Sequence, residues 1–123
     1  MPKILVVDDE PTQLTILTFA FKRQGYDVIC AENGEIAITE AAKEKPDVIL
    51  MDLMMPKMDG AVATKAIKQD PELSEIPILL YTAYDVGDTA AAAVEAGAAE
   101  VIRKTMLPSK LAEKINGYVN RAD

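Results

Sequence analysis

The chain has 123 residues, 50% of them hydrophobic, which suits one packed core rather than two and sets disorder aside. With 20 acidic residues against 13 basic ones and a net charge of −7, it lacks the basic footprint of a nucleic-acid binder and gains nothing at an anionic membrane. No apolar run approaches the roughly 20 residues of a membrane span, and M-P-K-I-L-V-V-D-D is no signal peptide, so the expected compartment is the cytoplasm.

Short apolar runs bounded by polar or turn residues read as buried parallel strands, and the first is Lys3–Val7, closed by Asp8 and Asp9. Pro11 lies just inside a helix start, and Gly25 follows that helix's Lys22-Arg23-Gln24 end. On that helix Leu14, Leu17 and Phe21 form the stripe expected to face a sheet, which directs Ile16 and Phe19 mainly outward. A second strand, Asp27–Ala31, holds the single cysteine, Cys30; it has no partner for an internal disulfide and reads as a small buried core residue. Asn33-Gly34 leads into a helix over Glu35–Lys45, stopped by Pro46. The third strand begins at Asp47 and its V-I-L-M run is closed by Asp52.

M-P-K-M-D-G, Met55 to Gly60, reads as a loop, followed by a helix over Gly60–Gln69 and a break at Asp70-Pro71. A fourth strand covers Ile78–Thr82, an alanine-rich helix Thr89–Ala96 ends at Gly97, and a fifth strand, Glu100–Arg103, is closed by Lys104. The last helix spans Ser109–Asn120 with Leu111, Ile115, Tyr118 and Val119 on one face; Gly117 inside it costs about 1 kcal/mol against alanine. Five strand–helix units predict a doubly wound α/β sandwich, and no linker, repeat or charge block divides 1–123 into more than a single domain.

Ligands of open parallel sheets bind outside the carboxyl ends of the strands. Asp8, Asp9, Asp52 and Lys104 all stand at such ends, so three carboxylates and an ammonium converge on one edge. Clustered carboxylates repel one another, more so when buried, and the arrangement makes sense if a cation normally sits among them. One aspartate after a strand serves as a helix cap, but two exceed that need. Paired carboxylates with room for water suit Mg²⁺. Beside them Asp52 is either a third ligand or a nucleophile able to form an acyl phosphate. A lysine at a strand end is usually solvated; at this edge Lys104 becomes a counter-charge and a phosphate binder. Thr82, closing the fourth strand, is either a plain β-branched strand residue or a hydroxyl donor to a phosphoryl oxygen.

Four segments carry a resemblance to a known family: I-L-V-V-D-D-E-P, P-D-V-I-L-M-D-L-M-M-P-K-M-D-G, P-I-L-L-Y-T-A-Y and A-G-A-A-E-V-I-R-K. In that order they resemble a response-regulator receiver domain over essentially the whole chain. The resemblance implies a flavodoxin-like (βα)5 sandwich with a five-stranded parallel sheet of order 2-1-3-4-5. It implies that Asp52 accepts a phosphoryl group from a phosphohistidine on a histidine kinase or histidine phosphotransfer protein. Asp8 and Asp9 would hold Mg²⁺ with Asp52 and the backbone carbonyl of Met54, while Thr82, Lys104 and the backbone NH of Ala83 would bind the phosphoryl oxygens. Met54 and Tyr84 would govern water access to the acyl phosphate. Ile16, Phe19 and Met106 would form the docking patch for the phosphotransfer partner. With no histidine in the chain, the phosphoryl group must come from another protein or a small donor.

Two departures from the pattern stand out. Thr105 replaces the usual proline after the lysine, and since a cis bond before a non-proline residue costs about 2.5–4 kcal/mol, a trans Lys104–Thr105 bond is expected. Val101 stands where an aromatic usually couples to the threonine, which removes one part of the family's output switch. The reading is a stand-alone receiver acting on a downstream partner. Its alternatives are a receiver-like interaction module without phosphoryl control and, further off, a Mg²⁺-dependent phosphatase with an aspartate nucleophile. The phosphatase class typically has a second acid two residues after the nucleophile, where this chain has Met54. A flavin or nucleotide site is weaker still, because no glycine-rich loop follows the first strand.

Overall fold

In the computed structural model, residues 1–83 and 87–119 are described, the side chains of 87–90 excepted. Tyr84 and the C-terminal end of the predicted last helix, Asn120, lie outside the described residues. Strands and helices alternate throughout: β1 (Lys3–Val7), α1 (Pro11–Arg23), β2 (Asp27–Ala31), α2 (Gly34–Glu44), β3 (Val48–Asp52), α3 (Gly60–Lys68), β4 (Ile78–Thr82), α4 (Gly87–Glu95), β5 (Glu100–Arg103) and α5 (Pro108–Val119). The strands form one parallel sheet of order β2-β1-β3-β4-β5, the order that the family resemblance implies.

Strand alternation divides the core into two layers. Leu5, Val7, Ile49, Met51 and Leu80 point to the side covered by α2, α3 and α4. Ile4, Val6, Leu50, Leu79 and Tyr81 point to the side of α1 and α5, where they meet Leu17, Phe21, Leu111 and Ile115. The central strands β3 and β4 are buried along their whole length, which explains their unbroken apolar runs.

Helix boundaries differ from the predicted ones by a residue or two, and at α2 and α5 the local reason is plain. Lys45 does not continue α2: it takes a left-handed conformation, φ 46° and ψ 64°, because the following Pro46 disfavours helical backbone at the residue before it. Pro108 opens α5 one residue before Ser109, a first-turn position where proline's missing N–H has no intrahelical partner to lose. Asn33 and Asp59 cap α2 and α3 through side-chain oxygens that accept from Ile36 N and Val62 N, both at 2.9 Å.

Cys30 departs from expectation. Its register partner is Val6, which points it toward α1, but β2 is an edge strand and Cys30 lies near its open end. The thiol is exposed, 3.2 Å from Thr18 Oγ1 at the rim of the helix, rather than in the core.

Candidate functional site

The parallel register brings the carboxyl ends of β1, β3, β4 and β5 to one edge, and the predicted residues meet there. Asp8 is 0% exposed, Asp52 3% and Thr82 1%, while Asp9 faces solvent. One carboxylate oxygen from each of Asp8, Asp9 and Asp52 lies within 4.8 Å of the others. The Lys104 ammonium bridges the buried pair, 3.0 Å from Asp52 Oδ2 and 3.2 Å from Asp8 Oδ2. It is set there by the backbone, since Lys104 N donates to Thr82 O at 2.8 Å. No peptide bond among the described residues is cis, so Lys104–Thr105 is trans.

Neither Asp8 nor Asp9 caps α1. The N-cap is Glu10, whose side chain makes no cap bond; instead Glu10 N donates to Asp8 Oδ1 at 2.9 Å. Asp52 is held in the same way, with Met54 N donating to its Oδ1 at 3.1 Å. The chain after Asp52 turns sharply under α3, and Gly60 makes that possible. A Cβ there would stand 2.5 Å from the Asp52 carbonyl oxygen and 2.9 Å from Leu53 Cα. Met54's side chain is half-exposed beside the site.

Electrostatics follow from burial. Burial pushes the Asp52 carboxyl up to about 6; the Lys104 hydrogen bond and charge pull it back, and the charge of Asp8 adds to the rise. Burial by itself lowers Lys104, but its contacts with Asp52 and Asp8 outweigh that and hold it above the ordinary lysine value. The described residues thus place two buried carboxylates against one ammonium, with Asp9 adding a third negative charge at the mouth. That excess of negative charge, in oxygen ligands close enough to share one ion, fits a hard divalent cation such as Mg²⁺.

Tyr81 is a site residue that sequence reasoning missed. It lies one residue before Thr82 on the opposite face of β4, fully buried, and its hydroxyl donates to Asp8 Oδ2. The Lys104 ammonium sits 4.9 Å from its ring centroid. Burial, the bond to Asp8 and the charges of Asp8 and Asp52 push the phenol far above its ordinary value. A tyrosine at the carboxyl end of a central strand was the available signal, because a buried phenol needs a polar partner.

Of the predicted docking residues, Ile16 and Met106 meet at one cavity, and Phe19 lies at a neighbouring one. Ile16 and Phe19 are exposed on α1, as the helix stripe predicts, and Met106 is half-buried. Ile16 and Met106 line a cavity of about 260 Å³ between α1 and the β5–α5 connection; Phe19 borders a neighbouring one with Pro108 and Ala112. Leu107, exposed and not singled out in the sequence, extends the apolar surface.

A flavodoxin-like (βα)5 sandwich with an acid cluster, a threonine and a lysine at one sheet edge places the chain among doubly wound α/β domains with an acidic strand-end site. The chain belongs to the response regulator receiver domain family, whose pattern matches residues 4–116. It is 37% identical over 119 residues to Protein PilH of Pseudomonas aeruginosa, covering 97% of this chain and 98% of that protein. It is 38% identical over 121 residues to the alkaline phosphatase synthesis transcriptional regulatory protein PhoP of Bacillus subtilis, covering 98% of this chain and 50% of PhoP. The chain therefore spans about half the length of that relative and nearly all of PilH.

Among solved structures, the chemotaxis protein CheY4 of Vibrio cholerae superposes with a TM-score of 0.91 at 28% identity, covering 96% of this chain and 98% of that one. A response regulator receiver domain protein from Clostridium thermocellum superposes with a TM-score of 0.90 at 29% identity, covering 99% and 97%. The chain is thus a receiver domain, a signalling domain of two-component systems. No described helix is long and apolar enough to cross a membrane.

Proposed function

We propose that residues 1–123 act as a single receiver unit that takes a phosphoryl group on Asp52 from a partner phosphohistidine in a Mg²⁺-dependent reaction, and thereby alters an interaction with a downstream protein. The observation that carries this reading is the Lys104 ammonium, which lies 3.0 Å from the nearly buried Asp52. A carboxylate oxygen of Asp52 forms the new O–P bond as the donor's N–P bond breaks, and the electron pair leaves on the imidazole. With its carboxyl raised only to about 6, Asp52 is mostly ionised at neutral pH and so remains a nucleophile.

Asp8, Asp9, Asp52 and the Met54 carbonyl would hold Mg²⁺, which when bound neutralises phosphoryl oxygens and favours in-line geometry. Lys104 contributes a second positive charge, Thr82 a hydroxyl and Ala83 a backbone N–H to those oxygens. Asp52 becomes a mixed anhydride, and Lys104 exchanges its carboxylate partner for a phosphoryl oxygen. Met54 and Tyr84, the positions that the resemblance assigns to water access, are neither of them acidic, so neither would orient an attacking water. Small phosphodonors reach the same carboxylate without a protein partner. Protein donors dock on Ile16, Phe19 and Met106.

Intact-mass measurement after treatment with acetyl phosphate and Mg²⁺ tests the reading. The parent gains the mass of one phosphoryl group, and Asp52→Asn gains none. Equal labelling of both chains, or none in the parent, sinks it in favour of a receiver-like interaction module without phosphoryl control.

A further inference from the structure

Asp8 carries an unusually complete set of donors for a carboxylate offered to a metal. Glu10 N–H donates to Oδ1 at 2.9 Å, and the Tyr81 hydroxyl and the Lys104 ammonium, at 3.2 Å, meet on Oδ2. An ionised carboxylate presents about four lone-pair positions over its two oxygens. Two donors saturate Oδ2, and the open position left for a cation is the second one on Oδ1.

The two donors on Oδ2 are not equivalent. Lys104 is shared with Asp52 Oδ2, on a flexible stem, and in the proposed reaction it follows the phosphoryl charge. Tyr81 is rigid and deeply packed. Its backbone is also tied to the phosphoacceptor: Asp52 pairs with Tyr81 in the β3–β4 ladder, and Leu53 N donates to Tyr81 O at 2.8 Å. One residue therefore fixes the strand end that carries Asp52 through its backbone and the carboxylate of Asp8 through its side chain.

We infer that Tyr81 is a positioning residue for the cation site: its hydroxyl holds Asp8 in ligating orientation and keeps Oδ2 satisfied when Lys104 is drawn away. This inference rests on the Mg²⁺ reading of the acidic cluster. A buried carboxylate oxygen left without its donor would turn or recruit another partner, and outer partners of metal ligands typically contribute 10–100-fold to affinity.

Calorimetric titration of the full chain with Mg²⁺ and with Ca²⁺, parent against Tyr81→Phe, tests it. Phenylalanine keeps the ring and its packing and removes only the hydroxyl. Mg²⁺ binding should weaken about tenfold. The Mg²⁺-to-Ca²⁺ affinity ratio should also fall, since a looser carboxylate suits the larger ion with its more flexible coordination. A purely structural role for Tyr81 would not move that ratio. A Tyr81→Phe chain with parent affinity and parent ratio overturns the inference and leaves the metal site standing. A parent that binds no Mg²⁺ overturns the metal reading and this inference together. Should Tyr81→Phe fail to fold, the parent still decides the matter: the Tyr81 hydroxyl proton should stay hydrogen-bonded throughout a Mg²⁺ titration followed by NMR. Loss of that bond on Mg²⁺ binding refutes the positioning role.

Discussion

Lys104 Nζ stands 3.0 Å from Asp52 Oδ2, and this single ammonium also serves Asp8, so Asp52 is only partly compensated. Its carboxyl is raised from 3.8 to about 6, first by burial. Between those values the folded chain binds more protons than the unfolded one, so this group's contribution to stability is present below about pH 4 and lost as pH rises through about 6. The displacement corresponds to about 3 kcal/mol as an upper figure. In chelator at pH 7, Asp52→Asn should therefore be more stable than the parent by about 1–3 kcal/mol, and the difference should vanish below pH 4. Urea unfolding at a series of pH values checks this. A variant less stable than the parent at every pH would mean that the carboxylate is a net structural asset.

Gly60 is the hinge on which the position of Asp52 depends. Alanine there would put its Cβ 2.5 Å from the Asp52 carbonyl oxygen, a backbone atom that cannot swing aside as a side chain can. Gly60→Ala should cost about 2–3 kcal/mol, at the upper end for overpacking. It should also weaken Mg²⁺ binding by displacing Asp52. Thermal melting and metal titration of the same variant read both effects; parent values in both would show that the β3–α3 turn relaxes freely.

Much of this site was legible in the sequence because it obeys a topological rule. Strand-end residues of a parallel sheet share one edge, so Asp8, Asp52, Thr82 and Lys104 could be placed together from their apolar runs alone. The Leu14, Leu17, Phe21 stripe likewise oriented α1 and so exposed Ile16 and Phe19. What escaped was tertiary. The expected order 2-1-3-4-5 already put β2 at an edge, but not how little of Cys30 the neighbouring helix would cover, so Cys30 read as core although it is exposed. Tyr81 sat inside an apolar strand as one more core residue, and its partner, Asp8, is 73 residues away.

The α1 surface leads to a third prediction. Phe19 is 65% exposed, too open to matter much for folding, and borders Pro108 and Ala112 of α5 near the Ile16–Met106 cavity. Phe19→Glu should slow phosphotransfer from a cognate phosphohistidine protein, because a charge placed against an apolar docking face is expensive to desolvate. Phosphorylation by acetyl phosphate, which needs no docking, should proceed at the parent rate. Timed labelling with the two donors separates the effects. Equal loss with both would locate the damage in the fold or the site.

The last prediction concerns what the phosphoryl group changes. In the family's usual switch the threonine moves toward the phosphoryl group and an aromatic on the fifth strand fills the space it leaves. Here the β4–β5 ladder sets Val101 opposite Leu80 and Arg103 opposite Thr82, with Val101 half-buried against the α2–α3–α4 side of the core. Valine has no ring to swing inward, and in a strand its χ1 has few options. A ligand shifts a conformational equilibrium only by its differential affinity for the two states, and one of the usual differential contacts is missing. The response to a stable beryllofluoride mimic should therefore stay small and local, in the segment from Ala83 to Asp88, with signalling carried mainly by charge and surface at the site. Amide exchange and chemical shifts measured with and without the mimic decide this. Changes reaching through Val101 into α5 would show that the chain switches by a route that needs no aromatic at that position.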